Sequence, residues 1–539
     1  MPTYTQHGKH AGELSMEQQR VLVQALLQPE RYAHPVRNIS LIETHISWVV
    51  LTGDYVYKLK KPVNFGFLDF STLEKRHFFC AEELRLNRCF APDLYLDVVT
   101  ISGSVEAPVP GGSGAPLEYA VRMRQFPQSG LLSTMAQRRE LLPAHIDEIA
   151  DLVAAIHARV EVAAADTGYG LPDDVHRWVM ENFAHIRPAL EHETQRAQAQ
   201  RLAAWCQQAF ERLRPVLEAR RVTGFVRQCH GDLHLGNLTL VAGRITPFDC
   251  IEFNAQLRWI DVISEAAFLV MDIQDRGYPE LGWRFLNGYL QHTGDYAGVR
   301  LLRYYLVYRA LVRAKVAMLR CGQAVAAELQ QAARSEYQAY MDLAASYVEA
   351  NAPVLLITHG VSGSGKSWYA SRLAERLGAI QLRSDVERKR LHGYRADADT
   401  GSGVQSGIYT QDASEQTYAR LAELAADVLA GGYPAIVDAT FLKQAQRSRF
   451  RELAATCGVP FVLLHFEADR DTLLHRVRAR RAAGTDPSEA GVAVLESQLA
   501  SQQPLLPEEQ DGLITVDSAA GLAPEELLGL LARYMEPGR

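Results

Sequence analysis

Alternating hydrophobic and polar residues predict β-strands in the first quarter of the chain. Residues 47–51 and 55–60 alternate on either side of the turn Thr52-Gly53-Asp54, which is a strong signal for a hairpin. Residues 71–90 change to a helical pattern, because apolar positions recur among charged ones. Strands are predicted again at residues 94–102 and 117–125, separated by a loop rich in proline and glycine.

Residues 143–345 are predicted to be mostly helical, with one exception. A short β-rich insert spans residues 230–249, where strands at 238–241 and 245–248 flank the turn Ala242-Gly243-Arg244. Strands first, then a helical part with an inserted hairpin, together predict a bilobal domain of the α+β class.

A different pattern begins near residue 350. The sequence Asn351-Ala352-Pro353 ends the helical stretch, and short apolar strands then alternate with helices, which is typical of a parallel α/β sheet flanked by helices. The predicted strands cover residues 354–357, 379–382, 435–437, 461–466 and 513–516. We therefore predict two domains, residues 1–348 and residues 352–539.

The composition is that of a globular protein, and 539 residues are too many for one hydrophobic core. A net charge of −7 provides no general attraction for nucleic acid. No run of about 18 apolar residues predicts a membrane span. The seven cysteines are scattered without CxxC pairs, and residues 1–10 lack the layout of a signal peptide. We therefore expect a cytoplasmic protein with reduced thiols.

The strongest chemical motif follows the first strand of the second domain and fits the pattern GxxxxGK[ST] in full. Glycines in such a loop let backbone N–H groups point at phosphate oxygens, and the following helix N-terminus favours anions. Lys366 is expected to reach the outer phosphates and Ser367 to bind Mg²⁺, so ATP and Mg²⁺ are the expected cofactors. The residues of the motif are Gly360, Val361, Ser362, Gly363, Ser364, Gly365, Lys366 and Ser367.

Four further residues of this domain are candidates for its chemistry, and each has a second interpretation. Asp438 ends an apolar strand as a magnesium-binding carboxylate does, although an acid there also caps helices. Asp385 follows another strand, either as a base for a substrate hydroxyl or as an ordinary N-cap. Arg476 and Arg480 share a helix face, either as lid arginines on the transferring phosphate or as a solvated basic surface.

The second domain resembles the small P-loop kinases of the gluconate-kinase, polynucleotide-kinase and zeta-toxin type. The resemblance lies in the strand–loop–helix order, in Arg383-Ser384-Asp385 and in the sequence VDAT at 437–440. The resemblance covers roughly residues 353–539. It implies transfer of a phosphoryl group to a hydroxyl, with Asp385 as the base. Specificity for the acceptor is expected to reside in residues 391–415, which no motif decodes.

A second catalytic motif lies in the β-rich insert of the first domain. His230-Gly231-Asp232 is followed five residues later by Asn237, and Asp249 comes after the predicted hairpin. One carboxylate can position and deprotonate an acceptor hydroxyl, while an amide and a second carboxylate hold Mg²⁺ on the ATP phosphates. The alternative is a hydrogen-bonded turn without chemistry.

Residues 30–345, with this motif, resemble the aminoglycoside/choline phosphotransferase superfamily, which is related to protein kinases. The resemblance implies that Asp232 is the catalytic base and that Asn237 and Asp249 are metal ligands. It also implies a lysine on the α- and β-phosphates, a helix acid paired with that lysine, and a histidine that either braces the loop or takes part in chemistry. The candidates are Lys58 with Lys60 as runner-up, Glu82 or Glu83, and His230.

One departure concerns residues 43–47, where a kinase has a glycine-rich phosphate loop and this chain has no glycine. As a whole, the chain resembles bacterial proteins described as bifunctional aminoglycoside phosphotransferase/ATP-binding proteins. Our leading hypothesis is a tandem phosphotransferase that acts on hydroxyl groups of small molecules. The alternatives are a regulatory ATPase or nucleotide sensor with a degenerate kinase-like domain, and a nucleic-acid end kinase.

Overall fold

The structure is a computed structural model that describes residues 14–66, 68–323, 326–349, 352–396, 398, 400, 407–483 and 488–534. Residues 1–10, Asn351, and positions 397, 399 and 401–406 of the predicted acceptor segment lie outside these ranges. Up to residue 261 the elements are α1 (Met16–Ala25), β1 (Ser40–Glu43), β2 (Ser47–Leu51), β3 (Tyr55–Lys60), α2 (Leu73–Asn87), β4 (Tyr95–Gly103), β5 (Pro108–Pro110), β6 (Glu118–Arg124), α3 (Leu132–Gln137), α4 (Pro143–Arg159), α5 (Pro172–Ile186), α6 (Glu193–Val222), β7 (Val226–Gln228), β8 (Leu238–Val241), β9 (Arg244–Pro247) and β10 (Trp259–Asp261).

The remaining elements follow in chain order. They are α7 (Val262–Asp275), α8 (Pro279–Thr293), α9 (Val299–Gln323), α10 (Ala327–Val348), β11 (Leu355–His359), α11 (Lys366–Leu377), β12 (Ile380–Arg383), α12 (Ser384–Leu391), α13 (Gln411–Ala430), β13 (Ala435–Asp438), α14 (Gln444–Cys457), β14 (Phe461–Glu467), α15 (Arg470–Ala483), α16 (Val492–Ser501), β15 (Leu513–Asp517) and α17 (Pro524–Ala532). None of the helices in the described ranges combines the length and the apolar character needed to cross a membrane.

The chain divides into two compact units, each of which is discontinuous in sequence. The first comprises Met1–Leu141, Glu161–Ala163 and Val226–Ile260. The second comprises Leu142–Val160, Ala164–Phe225 and Asp261–Arg539. Helix α10 ends at Val348 and strand β11 begins at Leu355, on either side of the predicted domain boundary. That boundary itself stays a prediction.

The first unit contains a six-stranded antiparallel sheet with strand order β1-β2-β3-β6-β4-β5. The predicted hairpin is β2 and β3, in which Val49 lies opposite Lys58. Alternate residues such as Trp48, Val50 and Leu59 face one buried cluster. Strand β5 forms within the segment predicted to be a loop. It is an edge strand of three residues, and prolines are tolerated in such strands because one side makes no ladder hydrogen bonds.

The second unit contains a five-stranded parallel sheet with strand order β12-β13-β11-β14-β15. The buried strand positions, among them Leu356, Ile436 and Leu464, pack against the apolar faces of α11 and α17. This confirms the predicted parallel sheet flanked by helices. After β11 the chain runs to β12 at one edge of the sheet, and after β13 it crosses to β14 on the other side of β11. The carboxyl ends of β11 and β13 therefore border a crevice. Ligands of doubly wound sheets bind at such a crevice.

Candidate functional site

The glycine-rich motif forms a tight loop between β11 and the N-terminus of α11. Gly360 has φ 143° and Gly363 has φ 84°, values that side chains rarely adopt. A Cβ atom at Gly360 would lie 2.7 Å from the Phe466 carbonyl oxygen, and one at Gly363 would lie 2.9 Å from that of Leu473. The loop therefore requires glycine at both positions, and its backbone curls ahead of a helix N-terminus as a phosphate cradle does.

Lys366 and Ser367 are the first two residues of α11. The Lys366 ammonium is buried and donates to the Val361 carbonyl oxygen at 2.7 Å, so it lies folded over the loop. The Ser367 hydroxyl donates to Asp438 Oδ1 at 3.1 Å. Asp438 is the last residue of β13 and is buried. Burial raises the pKa of its carboxyl group, and Arg383 and Ser367 oppose that shift.

Gln381, on β12, holds the other oxygen of Asp438 and was not recognised in the sequence. Its Nε2 donates to Asp438 Oδ2 at 3.0 Å, and its Oε1 accepts from the Ser371 hydroxyl at 3.0 Å. An ionised carboxylate only accepts hydrogen bonds, so the amide nitrogen must face Asp438. No local motif marks Gln381, since a glutamine inside a short apolar strand carries no specific signal. Its partner Asp438 lies 57 residues away in the chain.

These residues line a cavity of about 640 Å³ that extends from the loop to the first turn of α12. Asp385 lies in that first turn, whereas the N-cap is Arg383, so Asp385 is not the cap. Arg476 donates to the Ser518 hydroxyl at 2.9 Å and to the Gly363 carbonyl oxygen at 3.3 Å. Both Arg476 and Arg480 line the cavity, and the neighbouring arginines 478 and 481 are exposed.

Trp368 also lines the cavity and is the only exposed tryptophan of the chain, with 47% of its surface accessible. All six tryptophans lie within the described residues. The Arg372 guanidinium lies 3.7 Å from the centre of its ring. An indole in this position can report binding in the cavity through its fluorescence.

The buried ammonium gives nucleotide binding a predicted pH dependence. Burial lowers the pKa of Lys366 to about 8, against the opposing effects of Asp438 and Asp385. Above that pH the free protein loses the charge that phosphates require, so ADP affinity should fall by up to about tenfold per pH unit. ADP titrations at pH 7, 8 and 9 measure this, and Lys366→Arg should remove the dependence because guanidinium stays charged. An equal fall in both proteins would contradict the assignment to Lys366.

The predicted catalytic loop of the first unit precedes and follows the β8–β9 hairpin. Asn237 Nδ2 donates to the Asp232 backbone oxygen at 2.9 Å and to Asp232 Oδ2 at 3.1 Å. The backbone N–H of Phe248 donates to the Asn237 carbonyl oxygen at 3.0 Å, which brings Asp249 back beside Asn237. Asp249 itself has φ 63°, a conformation that is uncommon for a residue with a side chain.

His230 and His234 flank Asp232 in this loop. His230 is buried, and its Nε2 lies 2.9 Å from the Phe248 carbonyl oxygen, which supports the bracing role over chemistry. His234 was not among the sequence candidates. Its Nδ1 accepts from the Gly236 backbone N–H at 3.0 Å, which leaves the proton on Nε2, 3.5 Å from Asp232 Oδ2.

The candidate lysines and helix acids differ in their contacts. Lys58 contacts Glu83 at 2.8 Å and forms an ion pair with Asp249. Lys60 contacts the other oxygen of Glu83 at 2.7 Å and pairs with Glu252, a buried acid that the sequence reading missed. Burial opposes the charge of Lys58, but Asp249 and Glu83 raise its pKa well above the ordinary value. Glu83 therefore contacts both candidate lysines, and of the two Lys58 is the one that also contacts Asp249, the predicted metal ligand. Their roles in nucleotide binding stay predictions.

The other candidate acid, Glu82, takes no part in this cluster. It accepts from Arg85 at 2.7 Å and from Arg258 at 3.0 Å. Burial raises the pKa of Glu252, which lies three residues after Asp249. That spacing is the one signal in the sequence by which Glu252 could have been found.

Magnesium prefers oxygen ligands, and in nucleotide sites one or two protein carboxylates usually bind it together with phosphate oxygens. Both sites offer such oxygen atoms. In the second unit these are the Ser367 hydroxyl and the Asp438 carboxylate, whose oxygens already lie 3.1 Å apart. In the first unit they are Asp249 and Asn237 Oδ1, the amide oxygen left over once Nδ2 donates to Asp232. The residues therefore fit a bound Mg²⁺ at each site.

The chain is 31% identical over 472 residues to the uncharacterized protein Rv2004c of Mycobacterium tuberculosis strain H37Rv, an alignment that covers 87% of this chain and 92% of the mycobacterial one. The chain belongs to the same family. An uncharacterized protein of Mycobacterium bovis matches at the same identity and coverage. Residues 355–505 also match a family profile described as an AAA domain.

Solved structures resemble each part of the chain separately. A gluconokinase from Sinorhizobium meliloti covers 34% of this chain and 93% of its own, at 22% identity and a TM-score of 0.25. A choline kinase from Cryptosporidium parvum covers 62% of this chain and 96% of its own, at 10% identity and a TM-score of 0.38. At these identities the likenesses concern the fold alone and leave the substrate open.

Proposed function

We propose that the protein is an ATP-dependent phosphotransferase with two sites, each of which transfers the γ-phosphoryl group to a hydroxyl of a small molecule. The observation that carries the proposal is the cavity of the second unit. There the phosphate-binding loop, the Ser367–Asp438 pair, Asp385 and two arginines converge in about 640 Å³. Mere nucleotide binding does not require an acid such as Asp385 in the same cavity as the loop.

In this proposal each group of the cavity has a role. Asp385 accepts the proton of the acceptor hydroxyl while the hydroxyl oxygen forms a bond to the γ-phosphorus. The bond between that phosphorus and the bridging oxygen breaks, and ADP leaves. Lys366, Arg476 and Arg480 neutralise the charge on the phosphate oxygens in this step. Bound Mg²⁺ would further neutralise the phosphates.

Part of the cavity lining is polar. It presents Arg388, Gln411, Ser414, Lys443 and Gln446 in addition to Asp385. A cavity of this size and lining suits a compact, hydroxyl-rich molecule. Where a site is built to hydrogen-bond hydroxyls, analogues without them are rejected, because buried polar groups would be left unpaired.

A nucleotide sensor is the second candidate, and one observation in the first unit favours it. Lys58, the predicted phosphate ligand, forms ion pairs with Glu83 and Asp249. The β1–β2 turn stands where a kinase has a glycine-rich loop, and it is closed by hydrogen bonds between Thr44 and Ser47. Such a site could bind nucleotide weakly and respond to it without transferring phosphate.

Acceptor-dependent ATP consumption by the full-length protein tests the proposal. The panel contains sugars, polyols, aminoglycosides, nucleosides and an oligonucleotide with a free 5′-hydroxyl. We expect at least one compact polyhydroxyl compound to raise ADP formation and to appear as a phosphorylated product. Mg·ATP binding with no stimulation by any acceptor would favour the sensor, and phosphorylation of the oligonucleotide alone would favour the end kinase.

A further inference from the structure

Helix α8 is connected to the predicted magnesium site by a continuous chain of buried hydrogen bonds. Asn287 on α8 is the first member of the chain, Gln381 on β12 is the second, and Asp438 on β13 is the third. The side-chain carbonyl of Asn287 accepts from the Gln381 backbone N–H at 2.7 Å. The Gln381 side chain then donates to Asp438 Oδ2 at 3.0 Å.

Asn287 forms hydrogen bonds with the backbone at the free edge of the sheet. Strand β12 is the outermost strand and pairs with β13 on one side only. On its other side, Asn287 Nδ2 donates to the Ala379 carbonyl oxygen at 3.0 Å while Oδ1 accepts from Gln381. One amide thus supplies the donor and the acceptor that a neighbouring strand would otherwise supply. Both contacts are buried, so losing Asn287 would leave backbone groups unpaired.

Further contacts of α8 hold the same edge of the sheet in place. A Cβ atom at Gly378 would lie 2.9 Å from the Trp283 ring, so the turn before β12 packs directly on α8. Arg284 pairs with Glu375 at 2.7 Å. The position of β12 therefore depends on α8, and the position of Gln381 depends on β12.

Gln381 suits the task of aiming a metal-binding carboxylate. Its amide carries no charge, so it can fix the rotation of the Asp438 carboxylate without competing with a cation for it. Oδ2 accepts from Gln381 and lies 3.6 Å from Arg383 Nε, which leaves Oδ1 toward Ser367, the second expected ligand. Outer groups that orient metal ligands in this way affect metal affinity roughly 10–100-fold.

We propose that Gln381 is a positioning residue for the magnesium-binding Asp438 and that Asn287 makes this function depend on helix α8. The inference rests on the proposed function, because it assumes that Asp438 and Ser367 bind Mg²⁺ beside a nucleotide. It gives the helical segment that precedes the P-loop domain a physical means of changing nucleotide chemistry.

The test measures Mg²⁺ affinity in the ADP complex of the full-length protein, with Trp368 fluorescence or calorimetry as the readout. Gln381→Leu and Asn287→Ala should each weaken Mg²⁺ binding about tenfold or more, while ADP binding without Mg²⁺ stays unchanged. The double variant should be little worse than Gln381→Leu alone, because both changes break one chain. Gln381→Met, of similar length, serves in place of Gln381→Leu if that variant does not fold.

Asn182→Ala provides the matched control. Asn182 is a buried asparagine of α5 whose Nδ2 donates to the backbone oxygens of Trp178 and Val179. Its loss should lower thermal stability without changing Mg²⁺ affinity. Unchanged Mg²⁺ affinity in the Gln381 variants overturns the positioning role, and Asn287→Ala that lowers only stability overturns the dependence on α8. A wild-type protein that binds no ADP overturns the proposed function itself, a result distinct from either.

Discussion

Replacing Lys366 by alanine is expected to reduce phosphoryl transfer at the P-loop site by a factor on the order of 10² or more while the protein remains folded. The ammonium lies over the loop and contacts the Val361 carbonyl oxygen, so it is already positioned where the outer phosphates will lie. Its charge matters most in the transition state, when negative charge accumulates on the transferring group. Its removal should therefore lower kcat more than it raises KM for ATP.

Steady-state kinetics with the acceptor found in the panel measure this effect, and Trp368 fluorescence measures ADP binding independently. Arg376→Ala is a suitable control, since Arg376 carries a positive charge in the last turn of the same helix and pairs with Glu525. Unchanged turnover in Lys366→Ala would show that the loop does not carry the reaction. A fall in thermal stability that matches the loss of activity would show that the change acted through folding.

Asp232→Asn should reduce the rate of transfer at the site of the first unit by roughly 10²–10⁴-fold and should preserve Mg·ATP binding. Asp249→Asn should weaken both. The two carboxylates differ in their contacts, because Asp232 accepts from Asn237 whereas Asp249 forms an ion pair with Lys58. Asparagine at position 232 keeps an oxygen that can accept from Asn237 Nδ2, but it cannot take the proton of the acceptor hydroxyl. Neutralising Asp249 leaves Lys58 short of a counter-charge and removes a predicted metal ligand.

The measurement uses full-length protein in the Lys366→Ala background, so that residual activity belongs to the first unit. Calorimetry with a non-hydrolysable ATP analogue and Mg²⁺ separates binding from transfer. Asp97→Asn is the control, because Asp97 is a carboxylate of the same unit that pairs with Arg122 on the sheet. If the Lys366→Ala protein shows neither binding nor turnover at this site with millimolar nucleotide, the sensor hypothesis for this half gains weight over the enzyme.

The sequence by itself determined the features that depend on neighbouring residues. The phosphate-binding loop is one of these, since its eight consecutive residues contain the glycines that its backbone angles require. The β2–β3 hairpin and the alternation of strands and helices after residue 353 are others, because turn residues and hydrophobic period act locally. The sequence motif also placed Asp232 and Asn237 five positions apart in one short loop, and in the structure the two side chains are in contact.

Tertiary structure decided which of several equivalent side chains face a site. Glu82 and Glu83 are adjacent on one helix, and only the packing of α2 on the sheet turns Glu83 toward Lys58 and Lys60. The same holds for the arginines of α15. Their spacing placed Arg476 and Arg480 on one helix face, but only the structure shows that this face lines the cavity. Adjacent helix positions point about 100° apart, so one residue decides between core and solvent.

The connection from Asn287 to Asp438 had no counterpart in the sequence. Asn287 and Gln381 are 94 residues apart, and Gln381 and Asp438 are 57 residues apart. An asparagine on an amphipathic helix and a glutamine in an apolar strand are ordinary residues until the sheet edge and the helix meet. Hydrogen bonds between distant residues depend on distances of about 3 Å, which hydrophobic period and local propensity do not specify. For that reason the sequence revealed the phosphate loop, and only the folded chain revealed which residues hold Asp438, the predicted magnesium ligand.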